Sequence, residues 1–321
     1  MSTRDDVLSA LRDAGEAGVS GELLAGELGV SRVAVGKHVK TLRAEGYGID
    51  AAPGSGYVLS AIPDAPLPAE VTSHLRSTLW RRLEGGGETG STSDDARTLA
   101  REGASDGTVV LASSQTAGRG RLGRDWVSPT GGAYFSAVLR PGVGLADVSA
   151  LSLVVGLGVA RGLIALGIDS RLKWPNDVLL SDGKVAGVLL EMAAEADAVE
   201  WVVVGVGLNV RRHSTSPSVK TAAYLSDERG DVRIASAVAA VLDGIAEVYA
   251  EWLARGFSAL RDEYESRSSL IGESVTVRDR DGAVRGSGEV LGVDVGGRLR
   301  LAGPDGEIAI AAGEVTLREP L

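Results

Sequence analysis

The fold of the central region is indicated by the stretch Val178-Leu179-Leu180-Ser181-Asp182-Gly183-Lys184-Val185-Ala186-Gly187-Val188-Leu189-Leu190-Glu191-Met192. Apolar, partly β-branched runs at Val178–Leu180 and Val185–Met192 are typical of strands. Between them lies Ser181–Asp182–Gly183, whose composition favours a tight turn. Because a tight turn joins neighbouring strands that run in opposite directions, the stretch predicts an antiparallel hairpin.

Further strands and helices surround this hairpin in the sequence. Strands are predicted at Thr108–Ser113, Ala133–Leu139 and Trp201–Val206. Helices are predicted at Leu145–Leu166, as one long buried helix, and at Ile234–Ala254 and Phe257–Ser268. Hairpins mixed with separate helices predict an α+β region with a mixed, largely antiparallel sheet, rather than a doubly wound fold.

Residues 1–62 have the pattern of a small helical unit that ends in a hairpin. Apolar stripes mark three helices in turn, at Val7–Leu8–Leu11, Leu23–Leu24–Leu28 and Val35–Val39–Leu42. Ser31 is a candidate N-cap for the third helix. Two short strands are predicted within Tyr47–Ser60, around the turn cluster Pro53–Gly56. Three helices and a hairpin predict a winged helix-turn-helix domain.

The linker and the tail of the chain indicate two domain boundaries. Three prolines within Ile62–Pro68 indicate a linker. The tail alternates short apolar runs with Gly- and Asp-rich turns, and these runs are Ser274–Val277, Glu289–Val293, Leu299–Leu301 and Ile308–Ile310. Their spacing predicts a small β-barrel of SH3-like type. The predicted domains are therefore residues 1–62, 69–268 and 269–321.

Composition excludes several classes of protein. The formal charge of −10 opposes a large nucleic-acid surface, although a local basic patch is compatible with it. The absence of cysteine excludes disulfides, thiolate metal sites and a cysteine nucleophile. The longest apolar stretch, near Leu151–Leu166, contains Arg161 and several glycines, which argues against a membrane span. The early residues are polar and lack a secretory signal pattern, so we expect a cytoplasmic protein.

The loop Gln115–Trp126 carries the strongest chemical signal. Its sequence Gln-Thr-Ala-Gly-Arg-Gly-Arg-Leu-Gly-Arg-Asp-Trp has three glycines and three arginines within seven residues. Glycines allow a ligand to approach the backbone closely, and arginines donate to carboxylates and phosphates. The loop lacks the Gly-Lys-Ser/Thr ending of a P-loop. Taken alone, it indicates either a site that encloses an anionic ligand or a solvated basic loop.

Five motifs together resemble the biotin–protein ligase family. Besides the loop they are Gly90-Ser91-Thr92-Ser93, Lys173-Trp174-Pro175-Asn176-Asp177, Gly183-Lys184-Val185-Ala186-Gly187-Val188-Leu189-Leu190-Glu191 and Gly205-Val206-Gly207-Leu208-Asn209-Val210. Residues 1–62 resemble the winged helix of the family's bifunctional ligases and biotin-operon repressors. The resemblance implies a class II synthetase-like catalytic domain and the two-step reaction in which biotin and ATP give biotinyl-5′-AMP, which an acceptor lysine then attacks.

The resemblance also implies which residues bind biotin. Ser91, Thr92 and Gln115 offer the donors and acceptors that a ureido ring needs. The full implied set is Ser91, Thr92, Ser93, Gln115, Arg119, Gly120, Arg121, Lys184, Gly187 and Gly205. Ser93 departs from the family, which often has Asn there, and an alternative role for Ser93 is to N-cap a helix, with Asp94 and Asp95 beside the helix dipole.

For catalysis the resemblance implies Lys184, Arg119 and Arg121, because positive charge is needed where a carboxylate meets the α-phosphate of ATP. The ATP and adenylate residues it implies are Arg121, Trp126, Asn176, Lys184 and Asn209. Trp126 is expected to stack on adenine; its alternative is a core anchor. Mg²⁺ is expected to arrive with ATP, and its protein ligands are not identified by the sequence.

The predicted partners are DNA and protein. The third N-terminal helix carries Arg32, Lys37 and Lys40 away from its apolar stripe, as a recognition helix does, whereas Gly36 on it adds no base-reading side chain. We expect these residues to bind a biotin operator, with a homodimer when biotinyl-AMP is bound. The expected acceptor is a biotin carboxyl carrier domain, and no membrane partner is expected.

Two rival functions remain open from the sequence. A lipoate–protein ligase shares the catalytic fold, but its apolar acid needs no polar set such as Ser91, Thr92 and Gln115. A biotin-sensing repressor without ligase activity would not need Lys184 and the loop arginines.

Overall fold

The structure is a computed structural model that describes residues 3–52, 56–181, 183–195, 198–212, 222–304 and 306–317. The chain forms two compact units, residues 1–64 and 65–321. Pro53–Ser55 and Asp182, which were predicted in turns, lie outside the described residues. No helix among the described residues is both long and apolar enough to cross a bilayer.

The first unit has the predicted three helices and hairpin. Its elements are α1 (Thr3–Ala14), α2 (Gly21–Glu27), α3 (Arg32–Ala44), β1 (Gly48–Ala52) and β2 (Gly56–Ala61), with the strands antiparallel. The Ser31 hydroxyl accepts a hydrogen bond from the Ala34 amide (3.2 Å), so the predicted N-cap is confirmed. Val35, Val39 and Leu42 are buried as expected. Leu23 was predicted in the apolar stripe of α2, but it is 55% exposed. This two-turn helix is short, and Leu24 is its buried residue.

A seven-stranded sheet forms the centre of the second unit, in the order β3-β5-β7-β11-β10-β9-β8. Within this sheet only β3 and β5 pair in parallel, so the predicted mixed, largely antiparallel sheet is confirmed. The short strands β4 and β6 form a separate parallel pair. The strands up to β11 are β3 (Arg82–Gly85), β4 (Glu88–Thr89), β5 (Thr108–Ala112), β6 (Ser114–Gln115), β7 (Ala133–Leu139), β8 (Arg171–Lys173), β9 (Asp177–Leu180), β10 (Gly183–Glu195) and β11 (Ala198–Leu208). The β9–β10 hairpin is the one predicted from residues 178–192.

Helices cover both faces of this sheet. They are α4 (Pro68–His74), α5 (Thr92–Arg101), α6 (Leu145–Val148), α7 (Leu151–Ala165), α8 (Leu225–Glu228), α9 (Ile234–Arg255) and α10 (Arg261–Ser266). The largest hydrophobic cluster joins α7 and α9 to one face, and a smaller cluster joins Ala96 and Ala100 of α5 to the other. Because side chains alternate along a strand, the central strands β5, β7 and β11 contribute to both clusters.

Two predicted helices are divided in the structure. The predicted Leu145–Leu166 helix breaks at Ser149–Ala150, where α6 ends and the Ser149 hydroxyl oxygen lies 2.8 Å from the carbonyl oxygens of both Ala146 and Gly296, to one of which it donates. The predicted Phe257–Ser268 helix begins as a 3₁₀ turn, Phe257–Ala259, before α10. In both places local hydrogen bonds replace a continuous helical ladder.

The tail forms a five-stranded antiparallel sheet in the order β15-β14-β13-β12-β16. Its strands are β12 (Ser274–Arg278), β13 (Val284–Val293), β14 (Leu299–Gly303), β15 (Gly306–Ile310) and β16 (Glu314–Leu317). The four predicted runs are all strands, and β16 was not predicted. Apolar residues of this sheet, such as Val275 and Leu301, belong to the same cluster as the central sheet. The buried Trp174 indole also donates to the Gly297 carbonyl (3.0 Å).

The two long helices, α7 and α9, cross at glycines. A Cβ on Gly158 would lie 2.6 Å from the Cα of Ile245, and a Cβ on Gly162 would lie 2.5 Å from the Ala240 carbonyl oxygen. On the same helix, a Cβ on Gly156 meets only a Leu172 methyl at 3.9 Å. The backbone contact at this crossing therefore depends on Gly158 and Gly162 but not on Gly156.

We expect Gly158→Ala to lower the free energy of unfolding by about 1–3 kcal/mol, because the added methyl group forces the helices apart. Gly156→Ala is the matched control and should be neutral or stabilising by up to about 1 kcal/mol, because Ala has the higher helix propensity. Denaturant unfolding of the two variants measures the difference. Equal stability of both variants would contradict the close crossing.

Candidate functional site

Three glycines, Gly187, Gly205 and Gly207, form a patch without side chains on the face of the central sheet that α5 partly covers; this patch is called the glycine floor. Gly187 of β10 pairs with Gly207 of β11, and Gly205 pairs with Leu189 on one side and Ser136 on the other. Residues two apart on a strand point to the same face, so all three glycines lie on this face. Without side chains they leave the backbone open to a flat group.

The indole of Trp126 rests on this floor. A Cβ on Gly207 would overlap the indole Cε2 and Nε1, and a Cβ on Gly187 would lie 2.8 Å from Cζ3. The indole Nε1 is buried and has no hydrogen-bond partner among the described residues. A buried unpaired donor is costly, so this N–H is available to an acceptor that enters the site.

Short polar side chains form one wall of the site. The hydroxyls of Thr92 and Ser93 lie 2.8 and 3.1 Å from that of Ser136, and all three residues are buried. The Gln115 side-chain oxygen accepts a hydrogen bond from the Thr92 backbone amide (2.9 Å), and the Gln115 side-chain amide donates to the Ser128 hydroxyl (2.8 Å). The wall is therefore held in place by hydrogen bonds among its own members.

The alternative role considered for Ser93 is wrong. Helix α5 begins at Thr92, and its N-cap is Ser91, whose side chain makes no capping bond. Ser93 lies inside the first turn and directs its hydroxyl to the sheet. Asp94 and Asp95 do lie in the first turn, where the positive end of the helix dipole favours carboxylates.

A β-bulge directs Lys184 into the site. The β9–β10 register shifts between Lys184 and Ala186, and Val185 and Ala186 are both fully buried. A bulge re-aims the side chain at its position. The Lys184 Nζ accordingly lies 2.6 Å from Asp177 Oδ1 and 4.9 Å from the centre of the Trp126 ring.

Arg121 meets Asn176 above the same floor. The Arg121 Nη1 donates to the Asn176 side-chain oxygen (3.0 Å), and the Asn176 amide donates to the Val188 carbonyl (2.9 Å). Burial lowers the pKa of Arg121 below its usual range, and the charge of Asp177 opposes that shift. The guanidinium nevertheless keeps its charge, because an arginine pKa is far above neutral.

Two adjoining cavities meet at these residues. The first has a volume of about 40 Å³ and includes most of the predicted site: it is lined by Thr92, Ser93, Gln115, Arg119, Gly120, Arg121, Trp126, Asn176, Lys184, Gly187, Val188, Leu189, Gly205, Val206 and Gly207. The second, of about 230 Å³, lies between the Lys173–Asp177 segment and Gly313–Val315 of the tail. Gly120, Arg121, Asn176 and Lys184 line both.

Two predicted site residues lie outside both cavities. Ser91 is buried at the start of α5. The Asn209 amide donates to the Lys184 carbonyl (3.1 Å), so it supports the lysine from behind. A larger cavity of about 900 Å³ lies beside α9 at Tyr249, and none of the predicted site residues lines it.

Sequence reasoning missed Ser136 as a member of the wall. Its signal was a serine in the middle of the largely apolar strand Ala133–Leu139. A fully buried polar side chain needs a partner, and that requirement points to a neighbouring polar surface. No group of three or more His, Cys, Asp or Glu among the described residues is arranged to hold a metal ion.

The predicted DNA-binding residues lie on the outer surface of the first unit. Arg32, Lys37 and Lys40 are exposed on α3, opposite its buried stripe. Arg43, on the same helix, donates to the Ile49 carbonyl through Nε (2.8 Å) and Nη2 (2.6 Å), which ties α3 to the hairpin.

Three family models match the chain. They are the Biotin/lipoate A/B protein ligase family over residues 90–209, the HTH domain over residues 3–58 and the Biotin protein ligase C terminal domain over residues 270–318.

Relatives and solved structures agree with these matches. The Bifunctional ligase/repressor BirA of Bacillus spizizenii is 34% identical over 321 residues, covering 98% of each chain. The Biotin--[acetyl-CoA-carboxylase] ligase of Paracoccus denitrificans is 38% identical over 235 residues, covering 71% of this chain and 97% of its own. The structure of biotin protein ligase from Aquifex aeolicus in complex with biotin and ATP has a TM-score of 0.64 at 31% identity, covering 75% of this chain and 100% of that one.

We expect Gly207→Ala to displace the Trp126 indole, because the new methyl group occupies the space of the ring. Acrylamide quenching of tryptophan fluorescence, compared with the same variant carrying Trp126→Phe, isolates the signal of this indole. Gly230→Ala is the control, since a Cβ there has no neighbour within 4 Å. Unchanged quenching in Gly207→Ala would mean that the ring does not rest on the floor.

Proposed function

This chain belongs to the biotin–protein ligase family, and from that premise we propose how its site activates biotin with ATP and transfers it to an acceptor lysine. The observation that supports the proposal most directly is that Lys184 and Arg121 line both adjoining cavities. Two anions that must react with each other repel, so cations shared by their two binding cavities are what the reaction requires. The similarity over the whole chain supports the same function.

The first cavity is the proposed biotin site. Its wall offers hydroxyl and amide groups to a ureido ring. Gly205 lies beside that wall, whereas the Trp126 indole covers Gly187 and Gly207 and would have to move for a ligand ring to lie on them. Lipoate has no group that needs such a wall. The rival lipoate–protein ligase is therefore not favoured, and the relatives with the broadest matches carry names that refer to biotin or to BirA.

The second cavity is the proposed nucleotide site. In the first step a biotin carboxylate oxygen attacks the α-phosphorus of ATP, and pyrophosphate leaves. In the second step the amine of the acceptor lysine attacks the biotinyl carbonyl, and AMP leaves. Lys184 and Arg121 would stabilise the charge that develops between the two cavities. Trp126 lines the first cavity and not the second, so it would have to leave the glycine floor to stack on adenine as expected from the sequence.

Mg²⁺ is expected to bind through the triphosphate of ATP rather than through a protein cage. The described residues contain no cluster of three carboxylates or histidines, and Asp177 is already paired with Lys184. Mg²⁺ in such sites commonly binds substrate phosphates with few protein ligands. Its contribution would be to shield the triphosphate charge. Because ATP is a cytoplasmic substrate, we place this activity in the cytoplasm.

Lys184→Ala should lower the rate of biotin-dependent ATP–pyrophosphate exchange by about 100- to 1000-fold, because it removes a charge that matters most in the transition state. The exchange assay with biotin, and separately with lipoate, measures this. Exchange that lipoate supports better than biotin would favour the rival ligase. Exchange with neither acid in the wild-type protein would favour the non-catalytic sensor.

The matched control is Lys37→Ala together with Lys40→Ala, which removes lysines from the first unit instead. These two side chains are exposed on α3 and belong to no cavity described here. The double variant should therefore catalyse biotin-dependent ATP–pyrophosphate exchange at the wild-type rate. A loss in Lys184→Ala no greater than in this control would mean that Lys184 is an ordinary surface lysine.

The first unit is proposed to bind DNA as a biotin-responsive repressor. Its match to the HTH domain model, together with Arg32, Lys37 and Lys40 on the exposed side of α3, supports this role. Two such helices can bind a palindromic operator only when two chains are held at a fixed spacing. We therefore expect a homodimer, favoured by biotinyl-AMP through its higher affinity for the dimeric form.

Lys37→Ala together with Lys40→Ala should weaken operator binding and reduce the slope of log affinity against log salt by about 2 per chain, because two phosphate contacts are lost. Gel shifts on the upstream region of the biotin operon, with biotinyl-AMP added, measure this at two salt concentrations. Arg255→Ala, which removes an exposed cation from α9 of the second unit, is the control and should shift as the wild type does. No shift by the wild type would leave the chain a ligase only.

A further inference from the structure

One side of α3 carries two cations with a glycine between them. Arg32, Gly36 and Lys40 are spaced by four residues, so they lie next to one another along the helix. Gly36 belongs to the second turn of the helix that is proposed to enter the major groove, where a side chain can contact base edges. At this position α3 itself has no group with which to contact a base.

The Tyr57 side chain of β2 reaches this position. A Cβ on Gly36 would lie 3.9 Å from the Tyr57 hydroxyl oxygen, and a Cβ on Gly21 would lie 3.2 Å from Cε2 of the same ring. Gly21 is the first residue of α2, and a Cβ there would also lie 3.7 Å from Cγ of Arg32. The phenol ring therefore lies between the start of α2 and the second turn of α3, with its hydroxyl beside Gly36.

Backbone contacts hold Tyr57 in this place. The Tyr57 amide donates to the Val19 carbonyl (2.8 Å), and the Val19 amide donates to the Tyr57 carbonyl (2.9 Å). The preceding residue, Gly56, has a φ of 77°, and a Cβ on it would overlap the Val19 carbonyl oxygen. Only glycine allows this approach without strain, so the start of β2 is fixed directly beside α2.

The Tyr57 hydroxyl is available to a ligand. The residue is half-buried, and its hydroxyl makes no hydrogen bond to the other described residues. A phenol hydroxyl is neutral and can both donate and accept, whereas the charges of Arg32 and Lys40 attract phosphates of any DNA sequence. A neutral group beside the second turn of such a helix therefore suits a base edge better than the phosphate backbone.

We propose that Tyr57 supplies the base contact that α3 lacks at Gly36, and that its hydroxyl hydrogen-bonds to a base edge in the major groove. Tyr57 is then a specificity-determining residue that belongs to the hairpin instead of the recognition helix. Gly36 is a positioning residue, because its missing side chain leaves room for the hydroxyl. The proposal rests on the DNA-binding role proposed for the first unit.

Tyr57→Phe tests the proposal, because it removes the hydroxyl and keeps the ring. The full chain, with biotinyl-AMP added, is used to select binding sites from a pool of randomised DNA duplexes. The wild type should select a palindromic site, and Tyr57→Phe should lose the preference at one base pair in each half-site. Its affinity for the wild-type site should fall about three- to tenfold, as expected for the loss of one neutral hydrogen bond.

Binding to unrelated DNA separates a base contact from a phosphate contact. Tyr57→Phe should bind unrelated DNA as the wild type does, with the same slope of log affinity against log salt, because no charge is removed. Wild-type affinity for unrelated DNA also shows that the variant's first unit is folded. An equal loss on the selected site and on unrelated DNA would overturn the proposal and make Tyr57 a phosphate contact.

Gly36→Ala is the matched control. Its methyl group would lie 3.9 Å from the Tyr57 hydroxyl oxygen, which is an ordinary contact, so the hydroxyl keeps its place. This variant should select the wild-type site and bind it with an affinity within about twofold of the wild type, since the hydrogen bond is retained. A loss of preference in Gly36→Ala, with none in Tyr57→Phe, would mean that DNA approaches the glycine backbone itself and would overturn the proposal.

Failure of the proposal differs from failure of the DNA-binding role. A wild-type protein that selects no sequence would refute the DNA-binding role, and this proposal with it. A wild-type protein that selects a palindromic site, together with Tyr57→Phe that selects the same site with the same affinity, would refute the role of Tyr57 alone.

Discussion

The pairing of β10 with β11 is the interaction on which the site depends. One face of this strand pair packs against α7 and α9, and that burial fixes the register, because a slip of one residue would turn apolar side chains into the site. The fixed register brings Gly187 opposite Gly207. A floor without side chains therefore exists only because the opposite face of the same strands is fully engaged in the core.

The polar parts of the site are stabilised by partners of their own. Ser136 would be costly in a buried strand, but the hydroxyls of Thr92 and Ser93 satisfy it. Lys184 faces Asp177, and Arg121 faces Asn176. Each group is thereby held in one orientation before any ligand arrives, which is the condition for electrostatic stabilisation of a transition state. The indole N–H of Trp126 and the Nε–H of Arg119 are exceptions among the described residues of the first cavity, because both are buried without a hydrogen-bond partner.

The tail contributes to this site although its sequence shows no catalytic motif. Trp174 donates to Gly297, and Arg124 pairs with Glu314. These contacts attach the Lys173–Asp177 segment and the arginine-rich loop to the tail. The second cavity is accordingly lined by the loop, by Lys173–Asp177 and by Gly313–Val315 of the tail. The C-terminal sheet therefore helps to shape the proposed nucleotide site.

The sequence by itself determined the α+β class, the β9–β10 hairpin, the winged helix and most of the cavity lining, because periodicity, turn composition and motif order are local properties. The tertiary structure alone decided which faces those residues share. A β-bulge directs the Lys184 side chain into the site, and Asn209 donates to the Lys184 carbonyl from outside the cavities. Ser136 lies within hydrogen-bond distance of Thr92. The tertiary structure also paired Arg119 with Asp94 and Glu191, which lie 25 and 72 positions away along the chain. Contacts at such separations depend on how strands and helices pack, and no local pattern encodes them.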